Sequence, residues 1–164
     1  AQHWLSDNEL QMLSSEQKNN RIKLIRHACR TLFKQANSDA LALFGYGGVE
    51  GIRCDISLQN SVVPWGGELI FKLAVNGEDN KDNKYMIDYV IYHQKANGKL
   101  APKVFKWLDR KEILTKVNDF QKKHSFKAIS TRKYYPGLHR IEIIMNGITK
   151  AEAEFELSPE NRLD

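Results

Sequence analysis

The chain has 164 residues, 41% apolar and 27% charged, with 25 Lys and Arg against 20 Asp and Glu, a formal charge of +5 and a pI near 9.2. That length suits one medium domain, or a domain with a small helical piece, and the composition excludes wholesale disorder, collagen and a disulfide scaffold. No apolar run approaches the ~20 residues of a bilayer span, the N-terminus AQHWLSDNEL lacks the basic start and apolar core of a secretory signal, and the positive charge suits a polyanionic partner without requiring one.

The sequence has no initiator Met and opens beside a capping signal, which points to a fragment of something longer. Ser6-Asp7-Asn8-Glu9 has capping-box spacing and predicts a short helix through Leu13. A longer helix is predicted over 15–35, because Ile22, Ile25, Cys29, Leu32 and Phe33 recur at three- and four-residue steps and define one buried face. Ser38 is the predicted cap of a third short helix, DALALF, with Gly45 as its left-handed C-terminal residue. Three such helices bury their own apolar faces poorly, so 1–46 reads as the end of a helical array or a cap on another domain.

Past Gly47-Gly48 the hydrophobic period changes from helical to two, which separates a helical piece, 1–46, from a β domain, 47–164. Strands are predicted at 52–58, 69–75, 85–93, 103–108 and 114–120, with turns at Asn76-Gly77 and Asn97-Gly98. The last two are the clearest. Ile141, Ile143 and Met145 alternate with polar neighbours, Asn146-Gly147 forms a two-residue primed hairpin turn, and Ala151, Ala153, Phe155 and Leu157 return inward. About seven short strands with regular turn signals predict an immunoglobulin-like antiparallel β-sandwich preceded by helices, each sheet wet on one face. The two cysteines, Cys29 and Cys54, lie in different kinds of structure with no partner at metal-ligand spacing, and read as buried reduced thiols of a cytoplasmic protein, with a structural disulfide as the alternative.

Two basic features carry the candidate chemistry. Lys23, Arg26, Arg30 and Lys34 fall 3, 4 and 4 residues apart on the long helix, with His27 beside them and no acid from Asn19 to Asn37. That stripe lies roughly 120° around the helix from the apolar face. It reads either as a solvated face or as a row of cations one turn apart that can follow duplex phosphates. The second feature, 120–140, carries Lys122, Lys123, Lys127, Arg132, Lys133 and Arg140 with His124, His139 and no acid. Phe126, Tyr134 and Tyr135 interleave with these cations, the mixture with which a loop meets phosphates and exposed bases. Tyr135-Pro136-Gly137 fits a type II turn, and His139 stands where a sandwich places a buried corner residue or, alternatively, a ligand contact.

No phosphate-binding glycine loop, His-x-x-x-His, Cys-x-x-Cys or nucleophile elbow occurs. The acidic run Glu152, Glu154 and Glu156 is predicted to point outward into solvent, which offers no environment suited to acid–base work. The residues therefore offer no catalytic constellation, no metal site and no cofactor site. A protein-interaction module and a carbohydrate-binding or adhesion domain remain open as other readings.

The wording of several segments is informative in itself. IRHACRTLFK (25–34) and SDALALFGY (38–46) resemble the terminal repeat of HEAT-like DNA alkylation repair glycosylases. IDYVIYHQKANG (87–98), PKVFKW (102–107), KKHSFKAISTRKYYPGLHRIEIIMNG (122–147) and AEAEFEL (151–157) resemble the immunoglobulin-like domain of the AlkC-like branch. The resemblance implies a partner, double-stranded DNA with cationic alkylated bases such as N3-methyladenine, and hydrolysis of the N-glycosidic bond without metal or cofactor. It places the catalytic acid upstream of residue 1, so none is carried over. It implies a DNA-facing role for Arg26, His27 and Arg30 and a clamping role for the sandwich. NNRIK (19–23) departs from the family's aromatic–basic pair at the start of that helix.

Overall fold

The computed structural model describes residues 14–34, 37–77, 84–110, 118–130 and 132–159. The helix expected over 6–13 lies outside these residues. The long helix is divided in two: α1 spans Ser15–Ala28 and α2 spans Arg30–Lys34. Ser14 caps α1 reciprocally, accepting the Gln17 N–H at 3.2 Å while Gln17 Oε1 accepts the Ser14 N–H at 2.9 Å, which meets two orphan donors of the first turn. The break falls at buried Cys29, across which the Cys29 N–H to Ile25 O and Phe33 N–H to Cys29 O bonds continue. Only Ile25, Cys29 and part of Phe33 form the buried face; Ile22 and Leu32 are exposed. The third helix, α3, spans Ser38–Leu43, and its cap is Asn37 rather than Ser38, accepting the Ala40 N–H at 2.9 Å. Gly45 has φ +79°, as the left-handed position requires.

Eight strands follow among the described residues: β1 (Arg53–Leu58), β2 (Val62–Val63), β3 (Glu68–Asn76), β4 (Tyr85–Gln94), β5 (Leu100–Arg110), β6 (Asn118–Ser125), β7 (Gly137–Met145) and β8 (Ile148–Leu157). They form the expected immunoglobulin-like sandwich from a sheet ordered β1-β3-β6 and a sheet ordered β2-β8-β7-β4-β5. The inward residues alternate as predicted: Leu69, Phe71, Leu73 and Val75 of β3 face Ile87, Tyr89 and Ile91 of β4 and Ile141, Ile143 and Met145 of β7 in one core. Phe71 and Tyr89 meet edge-to-face across it at 5.4 Å, a preferred aromatic geometry.

Three expectations need correcting. The pairing of β2 with β8 is parallel, a two-residue contact too short for any periodicity to reveal. β4 is not wet on one face: it lies between β5 and β7, and Met86 on its outer face enters the helical core of Ile25, Cys29, Leu41, Phe44 and Tyr46. Of the strand expected at 114–120, residues 114–117 lie outside the described chain, and β6 runs on to Ser125, so Lys122 and Lys123 sit on a strand and the basic loop is confined to 126–136.

The β7–β8 turn also ties the helical segment to the sandwich. Asn146 (φ 44°) and Gly147 (φ 82°) both take positive φ, as a type I′ turn demands. Asn146 Oδ1 accepts the Met86 N–H at 2.8 Å, and its Nδ2 donates to Gly47 O at 2.8 Å and Lys84 O at 3.2 Å. Lys84 in turn donates from Nζ to Phe44 O at 2.7 Å.

Candidate nucleic-acid interface

Lys23, His27 and Arg30 are exposed on α1 and α2. Lys34 closes α2, and its side chain lies outside what the structure describes. Arg26 behaves differently from the expected free cation. Its Nη2 donates to Asp109 Oδ2 at 2.8 Å and to Tyr46 Oη at 2.6 Å, and Tyr46 Oη donates to Asp109 Oδ1 at 2.8 Å. Burial, and then the Asp109 hydrogen bond, push the Tyr46 hydroxyl up to about 12, so it is a permanent donor near neutral pH. The acid that compensates Arg26 comes from β5, far along the chain, where helix spacing cannot reveal it.

The second basic region wraps one end of the sandwich. Lys123 points outward, 3.8 Å from Glu68 Oε2, while Lys122 is half-buried on the inward side of β6. Lys127 and Lys133 are exposed, the latter 5.4 Å from the Tyr135 ring. Arg132 is half-buried, its guanidinium 5.6 Å from the Phe105 ring and 5.9 Å from Tyr134, distances at which a cation is drawn to an aromatic face. Phe126 and Tyr134 are buried in the core, so neither is free to stack on a base as their spacing suggested; the tip instead presents Ile129, 49% exposed. Arg140 lies 4.2 Å from the Tyr92 ring and is paired with Glu142 at 2.9 Å.

The histidines of this region are structural. His139 is fully buried and takes the corner role: its Nε2 donates to Tyr135 O at 3.0 Å, which leaves Nδ1 to accept the Gln94 N–H at 3.4 Å. Those two bonds define the neutral tautomer. His124 Nδ1 lies 3.1 Å from Tyr89 Oη. Burial above all, helped by Arg132, pushes His93 down to about 3 and His124 to about 4; burial also lowers His139, against the Tyr135 carbonyl bond. Three neutral imidazoles pack with Phe126, Phe155 and Tyr134 beneath the basic loop.

The two basic regions approach the same edge strand. On its outer side, Arg26 and Arg30 share a cavity with Lys106 and Asp109 of β5. On its inner side, Arg132 covers Phe105, which stacks on Tyr89 at 5.0 Å. Lys106 thus joins the candidate surface, although its place in PKVFKW carries no signal of it. Among the described residues no group of three His, Cys, Asp or Glu could hold a metal ion, and no helix is long and apolar enough to cross a membrane.

A family model described as uncharacterised protein YhaZ, C-terminal Ig-like domain, matches residues 53–159. The chain is similar to the uncharacterised protein YhaZ of Bacillus subtilis (strain 168), 34% identical over 135 residues that cover 82% of this chain and 37% of that protein. Among solved structures it is similar to the Pseudomonas fluorescens alkylpurine DNA glycosylase AlkC bound to DNA containing an abasic site analog, 27% identical with a TM-score of 0.78, over 93% of this chain and 42% of AlkC. A Listeria innocua β-glucosidase, 14% identical with a TM-score of 0.55 over 71% of this chain, shares the fold alone. The chain therefore spans well under half the length of YhaZ and AlkC.

Proposed function

We infer a DNA-grasping role from one premise: this chain belongs to the family of the YhaZ C-terminal immunoglobulin-like domain. Through AlkC it is related to DNA alkylation repair proteins. We assign to the complete protein the hydrolysis of the N-glycosidic bond of cationic N-alkylated bases, N3-methyladenine among them, and to this chain the clamping of the duplex. The catalytic acid is assigned to sequence outside this chain, and the reaction calls on no metal or cofactor. In the grip, Lys23, Arg30 and the helical piece 1–46 follow one stretch of phosphates, while Lys123, Lys127, Arg132 and Lys133 of the sandwich, 47–164, reach another.

The observation that supports this reading is the convergence of both basic regions on β5, in a chain 27% identical to a protein solved on DNA. Contacts of this kind position a protein without reading bases, so affinity should be electrostatic and indifferent to sequence. Titration with duplex DNA tests it. If about four cations neutralise phosphates, log K falls against log salt with a slope of roughly −3 to −4. Charge reversal at Lys23 and Arg30 should weaken binding and flatten the slope by about two. An unchanged slope removes the helices from the interface, and absence of duplex binding beside capture of a protein partner would favour an interaction module instead.

A further inference from the structure

A cavity of about 570 Å³ lies between the helices and the outer face of β4 and β5, within the ~300–1,000 Å³ range of ligand sites. Strand pairing sets which side chains reach it: Pro102, Val104 and Lys106 of β5 stand opposite Tyr92, Val90 and Asp88 on the outer face of β4. Pro102 and Val104 form an apolar wall on the edge strand, and Phe33 of α2 and Met86 of β4 complete it. Val104 is 52% exposed and Pro102 is also exposed, while Phe33 is half-buried. Gathered in a concavity, such surface is stabilised when a partner takes it out of water.

Cations rim the wall. Arg26 and Lys106 line the cavity with carboxylate partners, Asp109 and Asp88. Arg30 lines it too, exposed and without a carboxylate partner among the described residues. Lys23 and His27 lie beside Arg30 on the same exposed side of the helical segment, with no acid from Asn19 to Asn37. Wall and rim together discriminate between ligands. A duplex backbone supplies phosphates for the rim and no apolar group for the wall. An unpaired base needs an open ring face. Phe33, the one aromatic residue lining the cavity among the described residues, already meets Phe44 at 5.0 Å, Tyr46 at 6.2 Å and the Arg26 guanidinium at 5.9 Å. A peptide with a bulky apolar side chain among acidic residues serves both.

We propose that this groove docks an acidic peptide of a partner protein through a bulky apolar side chain. That side chain packs on Pro102, Val104 and Phe33. A carboxylate beside it takes the Arg30 guanidinium in a charge-assisted, two-pronged pair, and further acids of the peptide meet Lys23. The docking stands without the duplex grip. Arg30 belongs to both, so peptide and duplex compete for it where both bind.

Fluorescence anisotropy of the whole chain with a labelled peptide, Asp-Asp-Glu-Asp-Leu-Phe-Glu-Asp, tests it in the absence of DNA. Saturable binding is expected. The same peptide with Ser-Ser in place of Leu-Phe, equal in charge, should bind at least about tenfold more weakly. Arg30→Glu should weaken the parent peptide at least about tenfold and Val104→Glu at least about fivefold. Both positions are exposed, so the melting temperature should hardly move. Lys127→Glu/Lys133→Glu, altered on the sandwich loop, should bind the peptide like the wild type whether or not it binds duplex DNA, which separates this docking from the duplex grip. The proposal is overturned if the peptide does not saturate, if the Ser-Ser peptide binds as tightly, or if Val104→Glu leaves affinity unchanged. It is also overturned if Val104→Glu weakens duplex binding while the peptide fails to bind, which would give the groove to nucleic acid.

Discussion

Arg26 and Asp109 are 83 residues apart in the chain and 2.8 Å apart in space, and Tyr46 bridges both, accepting from one and donating to the other. The triad joins α1 to the end of β5 and holds in place a cation that helix spacing alone leaves facing solvent. With side chains 48% and 53% exposed, the ion pair itself adds less than about 1 kcal/mol. Its main effect is on where the guanidinium points.

Asp109→Ala should therefore release Arg26. Thermal melting should show a loss of only about 1 kcal/mol. If the duplex grip is correct, the salt dependence of DNA binding should steepen by about one as the freed guanidinium meets a phosphate. Tyr46→Phe, which removes one acceptor and one donor, should cost about 1–2 kcal/mol in denaturant unfolding and leave the salt slope near the wild-type value.

Stability should depend on pH through His93 and His124. Both imidazoles are neutral when folded, with pKa values of about 3 and about 4 against 6.5 for a free imidazole. Between about 6.5 and those values the unfolded chain binds more protons, so stability is full above about pH 7 and falls as pH drops through that window. Each unit of difference corresponds to about 1.4 kcal/mol. Denaturant midpoints from pH 7.5 to 4.5 should fall steadily. Arg132→Leu should raise both imidazole titrations, as read by NMR, because its charge opposes protonation of each.

Asn146→Ala should be among the more damaging single changes, at about 2–4 kcal/mol. It loses three side-chain hydrogen bonds, to Met86, Gly47 and Lys84, and puts alanine at φ 44°. Asn146→Gly keeps the turn and loses only the bonds, so it should retain part of the difference. Equal midpoints for the two variants would show that the hydrogen bonds, rather than the turn, carry the effect.

Lys127→Glu/Lys133→Glu changes two exposed residues of the 126–136 loop and should leave the melting temperature nearly unchanged. Under the clamping role, duplex affinity should drop uniformly across sequences, with a salt slope about two smaller. Sequence-dependent loss would instead point to contacts with base edges.

Much of the sandwich was legible because its inward residues alternate cleanly. Phe71, Ile141, Ile143 and Phe155 are buried where period two places them, and Asn146-Gly147 takes the positive φ angles its composition predicts. His139 proved the buried corner residue. The same reasoning failed for the 120–140 segment, where Phe126 and Tyr134 looked like stacking platforms and are core, and where β6 extends into the expected loop. Composition cannot separate an aromatic beside a cation from an aromatic beneath one.

Local periodicity and turn chemistry, which involve residues a few positions apart, were enough to identify most of the described strands and the two basic segments, though not β2 or the break in the long helix. Tertiary structure alone decided which charges remain available. Asp109 reaches Arg26, Lys106 reaches Asp88, and Arg30 comes to the outer face of β5, because chain closure brings distant residues within the few ångströms over which hydrogen bonds and ion pairs act.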